Sequence, residues 1–491
     1  MRRGLAAAAL AWFVAAIWTS AAAQTPTPAG TATTGTASAG TATAAPLQKL
    51  TLDLYLEFED VEDPQISPDG RQIVYTRRWV DKVNDRWESA IWIVNADGSK
   101  NRFLVDGSSP RWSPDGTRIA YLARGEPRGT QIFVRWMDAE GATTQITRVD
   151  ETPTGIAWSP DGTQVAFVML VPKKETWPIK MPPRPEGAKW TANPRIVERL
   201  VYRRDRIGFL EEGDRHIFVV PATGGTPRQI TSGPYDHGGG FGGASIAWTP
   251  DGREILFHGL RVEDAEYHWR ESEIYAVNVE TRAVRQLTHR RGPDQNPTPS
   301  PDGRWVAYTG HDWTDDTYVD AKLYVMGIDG SNPRVLTASL DRTPRGLLWA
   351  PDGSGVYFTA DDRGTRNLWF ASLRGEVRQV TGGTHMLTVT DLGRNGLAVG
   401  TRTSPHEPDD VVAFDVRRPR LRQLTFVNDD VLAGVALGPV EESEYASTDG
   451  LRIQGWIVKP PDFDPTKTYP LLLSIHGGPH AMYNVGFNFA W

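Results

Sequence analysis

The chain has 491 residues, with 53 Lys+Arg against 60 Asp+Glu for a net charge of −7, and no cysteine. The mildly acidic balance argues against nucleic acid as a partner. The missing thiols exclude disulfides, thiolate metal sites, iron–sulfur clusters and a cysteine nucleophile. Its 48 Gly, 36 Pro and 18 Trp point instead to many strands joined by many turns.

Arg2 and Arg3 precede an apolar run from Leu5 to Trp18, and Ala21-Ala22-Ala23 offers a cleavage site before Gln24. That order reads as a secretory signal peptide over residues 1–23, so the protein is expected to be exported, to a periplasm or the extracellular space. The run is short for a membrane span. Residues 24–46 are almost all Thr, Ala, Gly and Pro. With no large apolar group they cannot offset the entropy of ordering, and they read as a disordered tether. Nothing beyond Pro46 is long and apolar enough to cross a membrane.

One motif then recurs: Ser67-Pro68-Asp69-Gly70, Ser113-Pro114-Asp115-Gly116, Ser159-Pro160-Asp161-Gly162, Thr249-Pro250-Asp251-Gly252, Ser300-Pro301-Asp302-Gly303 and Ala350-Pro351-Asp352-Gly353. A worn copy stands at Gly393-Arg394-Asn395-Gly396. Pro presets φ, Asp suits the next turn position and Gly accepts positive φ, so each copy reads as a tight hairpin turn. Trp112, Trp158, Trp248 and Trp349 each end the strand before a turn. A second hairpin, ending near Leu-Thr, follows each time, at Ile91–Val105, Ile132–Thr147, Ile217–Thr231, Ile274–Thr288, Leu323–Thr337, Leu368–Thr381 and Val411–Thr425. Two hairpins per repeat of 40 to 50 residues predict an all-β seven-bladed β-propeller with four-stranded blades over residues 47–426. The 90-residue gap between Ser159 and Thr249 holds only one second hairpin, which predicts an insertion in blade three over about 171–215. No strand is left over to complete the last blade. The ring is therefore expected to close by packing alone between blades one and seven.

Few residues of the repeats carry a chemical signal. Gly238 to Gly243 lacks the strand–helix context of a phosphate loop and reads as an inter-blade loop. Asp315, Asp316 and Asp320 match no calcium-loop spacing and read as a solvated turn. Glu211 and Glu212 end the insertion. A carboxylate pair facing the central cavity could hold a peptide's free α-amine, although a polar turn before His216 explains the pair more simply. Trp177, Trp190, Arg195, Arg199, Arg203, Arg204 and Arg206 give the insertion a basic, aromatic character, which the overall charge and the export signal separate from nucleic-acid binding. The histidines are scattered, with no H-E-x-x-H.

The segment 427–491 differs. Thr448-Asp449-Gly450 through Gly455-Trp456 reads as a hairpin, and Leu471-Leu472-Leu473-Ser474-Ile475 as a strand buried on both faces. It runs into His476-Gly477-Gly478-Pro479-His480. A glycine pair after such a strand lets backbone N–H groups approach a developing oxyanion.

These motifs resemble the prolyl oligopeptidase family of serine peptidases, in its acylaminoacyl-peptidase-like branch. The carriers are the S-P-D-G repeats, Thr448 to Trp456, Phe463-Asp464-Pro465 with Tyr469-Pro470, and His476 to Pro479. The resemblance implies a propeller followed by an α/β-hydrolase domain, with the propeller restricting access to short peptides and no cofactor or metal involved. Gly478 would donate its N–H to the oxyanion, with Gly477 and His476 shaping the loop. The family takes its triad in the order Ser, Asp, His, with Ser in a G-x-S-x-G elbow, and the chain contains no G-x-S-x-G. The triad is thus expected beyond Trp491, the hydrolase domain to be truncated, and the 491-residue chain to be inactive alone. His476 precedes any such nucleophile and does not suit the role of triad base. Two other readings stay open: a periplasmic TolB-type propeller acting as a binding scaffold, and another α/β-hydrolase such as an esterase.

Overall fold

A computed structural model describes residues 48–173, 182–191, 195–205, 207–239, 244–268, 270–478 and 480–489. Residues 1–47, which include the segments expected to be a signal peptide and a tether, lie outside them, as do Trp177, Arg206, Pro479 and Trp491. The rest is nearly all β. Its helical turns are Leu52–Tyr55, Asp429–Leu432 and a 3-10 turn at Ala265–His268.

Four strands at a time pair antiparallel in chain order. Sheet one runs Asp60–Ile66, Gln72–Asp81, Arg86–Asn95 and Arg102–Asp106. The same order repeats over residues 108–145, 154–229, 246–286 and 294–335 as sheets two to five. Residues 345–379 and 386–423 hold four strands each, sheets six and seven. A single parallel pairing, Arg366 with Met386, fuses these two into one larger sheet. No strand of residues 60–106 pairs with one of residues 386–423 among the described residues.

The apolar cores lie between sheets. Each cluster draws on two neighbouring sheets, as when Ile132 and Val134 meet Val165 and Phe167. The cycle returns on itself, since Val61, Ile73 and Tyr75 of sheet one pack with Val399, Val411 and Leu424 of sheet seven. Packing is not alone at that seam, contrary to the sequence expectation. Asn428 exchanges two hydrogen bonds with the Glu59 backbone, both 2.9 Å, and Ile66 N donates to Asp391 Oδ2 at 2.8 Å. Side-chain clasps of this kind carry no periodicity, so the repeat pattern does not announce them.

The S-P-D-G turns form as the residue types require. Ser113 Oγ donates to Asp115 Oδ1 at 2.5 Å and accepts Arg118 N at 2.9 Å, while Gly116 takes φ +72°. The worn copy works alike, with Asn395 Oδ1 accepting Leu397 N at 3.1 Å and Gly396 at φ +83°. In sheet three Pro172 pairs with Gly213, so the excess residues of the long gap fall between its second and third strands.

The tail departs from expectation at one place. Val440–Ala446 and Arg452–Val458 form the expected hairpin around Asp449-Gly450. Leu471 to Ile475, however, is not a strand and is not buried; Leu472 is 94% exposed. A strand buried on both faces needs neighbours that supply hydrogen bonds and apolar cover, and no described strand lies beside this run.

Candidate functional site

The connections between the second and third strands of the sheets share one end of the ring, where the chain also enters and leaves it. Most are short turns, such as Arg363-Gly364 in sheet six. Those of sheets three, four and five are long, covering residues 173–212, 260–272 and 311–321. Charged side chains join them. Arg199 Nε donates to Glu266 Oε1 at 2.5 Å, and Arg270 Nη1 to the Asp316 carbonyl at 2.9 Å. The guanidinium of Arg270 also lies 4.7 Å from the Trp313 ring centre.

The tail packs against the same end. Trp456 lies so close to Gly364 that a Cβ there would come within 2.2 Å of the indole, and Gly364 has φ +76°. Trp456 Nε1 donates to the Tyr483 carbonyl at 3.2 Å, and Val485 N to the Gly364 carbonyl at 2.9 Å. Val485 is buried, while the rings of Phe487 and Phe489 pack at a tilt against Phe58 and Tyr55.

Between these anchors runs the loop 476–480. His476 is exposed, its Nδ1 3.3 Å from the Gly477 carbonyl and its ring 5.6 Å from Tyr483. Gly477 faces open space, and Gly478 takes φ +127°, a conformation that favours glycine. Neither N–H donates to any described residue, so both are free to meet an acceptor. His480 Nε2 lies 2.8 Å from Thr317 Oγ1, and its ring 5.9 Å from Tyr318. No sequence signal links residues 317 and 480, because the contact joins a loop of sheet five to the tail.

Glu211 is exposed and Glu212 half-buried, and the Glu212 carbonyl accepts Lys173 N at 2.9 Å, closing the insertion. The pair is not alone. Burial, then the Glu211 charge, then Asp150 push the Glu151 carboxyl above its ordinary range. Glu151 and Glu211 thus concentrate negative charge at the base of the insertion, which suits a cationic group. Glu151 was not legible beforehand, being 60 residues away in the chain. Asp316 and Asp320 accept hydrogen bonds from Arg270 and Thr343. Gly238 N donates to the His258 carbonyl, while residues 240–243 lie outside the described residues.

No protein-family model matches the chain. Dipeptidyl-peptidase 5 of Porphyromonas gingivalis is 30% identical over 465 residues, covering 90% of this chain and 65% of its own length. Acylaminoacyl peptidase of Pyrococcus horikoshii superposes with a TM-score of 0.71 at 19% identity, over 88% of this chain and 63% of that one. The β-propeller domain of the Trilobed protease from Pyrococcus furiosus superposes with a TM-score of 0.55 at 18% identity, over 77% of this chain and 99% of that domain. The chain therefore spans about two thirds of the length of its peptidase relatives. It is a homologue of dipeptidyl-peptidase 5 with the propeller fold of these peptidases, and the resemblance read from its sequence to the prolyl oligopeptidase family stands.

Proposed function

We propose that the chain is the propeller-bearing part of an exported serine peptidase that hydrolyses short peptides by acyl transfer. One observation carries this reading: similarity to dipeptidyl-peptidase 5 runs over 90% of the chain, too much to be confined to the repeats. The seven groups of four strands are read as the blades of a propeller that limits access to short peptides. Residues 427–491 are read as the start of an α/β-hydrolase domain. In this reading the free N–H of Gly478 receives the oxyanion, with Gly477 and His476 shaping its loop. Glu211 with Glu151, and Glu212 beside them, attract the peptide's α-ammonium group. Serine attacks the scissile carbonyl, His carries the proton to the leaving amine and Asp orients His. The 491 residues hold no G-x-S-x-G, so the proposal draws the triad from sequence following Trp491.

The test reads the gene past the Trp491 codon and assays its full product on a fluorogenic dipeptide. An elbow followed by Asp and His, with turnover abolished by a serine-directed phosphonylating reagent, is the expected result. Residues 24–491 alone are expected to give no turnover. Turnover by that shorter chain, or a frame without the elbow, would overturn the reading.

A further inference from the structure

The loop bearing Gly477 and Gly478 is flanked on one side by the exposed run 471–475, so its position depends on what holds its other side. That hold comes from sheet five. Residues 311–321 join the strands Trp305–Gly310 and Lys322–Gly327. This connection is braced at its base. Trp313 N donates to the Arg291 carbonyl at 2.9 Å, and Arg270 donates to the carbonyls of Thr314 and Asp316 at 3.1 and 2.9 Å. The Arg270 and Arg291 guanidinium groups lie 4.7 and 4.3 Å from the Trp313 ring centre. Cation–π attraction and backbone anchoring together fix the loop from two neighbouring elements.

Thr317 and Tyr318 project from this braced loop onto His480, at 2.8 Å and at 5.9 Å between rings. His480 stands two residues from Gly478, so a contact that holds His480 also limits how the Gly478 N–H can turn. An oxyanion donor must aim within a few tenths of an ångström of where charge develops. We propose that Thr317 is a positioning residue, which holds His480 and thereby sets the direction of the Gly478 N–H. The inference rests on the peptidase reading above. It makes the propeller a contributor to the geometry of catalysis besides a filter for substrates.

Two measurements test it. In the full gene product, Thr317→Val keeps size and removes the hydroxyl. It is expected to lower kcat about tenfold at unchanged KM, less than outright loss of an oxyanion donor. Thr317→Ser is expected to restore most of the rate. In residues 24–491, nitrogen NMR of the imidazoles is expected to show the His480 Nε2 resonance moved by Thr317→Val and returned by Thr317→Ser. An unmoved His480 resonance overturns the contact and the proposal. A moved resonance with unchanged kcat overturns the positioning role. If the wild-type full product turns over no peptide, the peptidase reading itself fails and takes this role with it. The His480 resonance would then still report whether the contact exists.

Discussion

Single hydroxyl groups organise the repeats. The Thr that follows an aliphatic residue at the end of the second hairpin accepts a backbone N–H within the third strand: Ile132 N to Thr147 Oγ1, Ile274 N to Thr288 Oγ1 and Val411 N to Thr425 Oγ1, each 2.9 Å. The hydroxyl then donates to the side chain one residue before that N–H, which differs from sheet to sheet: Gln131, Glu273, Asn367 and Asp410. The Leu-Thr ending was visible in the sequence, but the partner was not, because its residue type varies from sheet to sheet. Where the partner is acidic, burial has a titration consequence. Burial pushes Glu273 up to about 7; Asp294 and Glu271 add to the rise, and Thr288 and Arg290 oppose it. The folded state then binds the proton more tightly than the unfolded chain. The stabilisation is present at low pH and is lost as pH rises from about 4.3 through about 7. Glu273→Gln keeps an oxygen for Thr288 and removes the titration. Urea unfolding is expected to show the variant more stable than wild type at pH 8, by on the order of 1 kcal/mol after allowance for solvent screening, and nearly equal at pH 5. A difference independent of pH would count against a half-buried, titrating Glu273. The turn hydroxyls give a second case. Ser113→Ala leaves Arg118 N without its acceptor inside a buried turn, and is expected to cost about 1–3 kcal/mol in the same assay.

Among elements, the indoles link one sheet to the next. Trp112 Nε1 donates to the Gln65 carbonyl at 3.2 Å, Trp158 to Arg111 at 2.9 Å, Trp248 to Ala157 at 3.1 Å and Trp349 to Thr298 at 2.9 Å. In every case the acceptor lies two residues before the Ser or Thr of the preceding turn. The tryptophans at fixed offset were plain in the sequence as strand ends. Their role between sheets was not, since a repeat pattern reports what recurs within a repeat and says little about which neighbour it touches. Trp158→Phe keeps most of the apolar ring and removes the indole donor from the Arg111 carbonyl, so a loss of about 0.5–1.5 kcal/mol is expected. A loss below a few tenths would show that water replaces the indole. The tail shows the opposite failure of legibility. A continuous apolar run is a strand only when neighbours cover it, and Leu471, Leu472, Leu473 and Ile475 stay exposed. Replacing Leu471, Leu472 and Leu473 by Ser is expected to slow aggregation of residues 24–491 in light scattering while leaving Tm unchanged. A fall in Tm would mean that the run is packed in solution.

At the scale of the whole molecule, the ring must close where the chain begins and ends it. Sheet one has Ile66 where four other sheets carry Trp, so no indole reaches across this junction. The Asp391 carboxylate stands in: it accepts Ile66 N and Leu392 N, both at 2.8 Å, and Thr390 Oγ1 donates to the Pro64 carbonyl at 2.6 Å. Asn428 completes the clasp on the Glu59 backbone. No strand is shared across the seam among the described residues, as at the junctions between sheets one to six, and the tryptophan bond is missing here as well, so local opening is expected to begin at this junction. Asn428 is buried, so Asn428→Ala leaves the Glu59 N–H and C=O unpaired, a loss of about 1–3 kcal/mol concentrated at one junction. Amide hydrogen exchange is expected to speed up in Asp60–Ile66 and Arg418–Gln423, while the central strands of sheets three to five keep their wild-type protection. Uniform acceleration around the ring would mean instead that the seven sheets unfold as one cooperative body, and that the seam is no weaker than the junctions held by tryptophan.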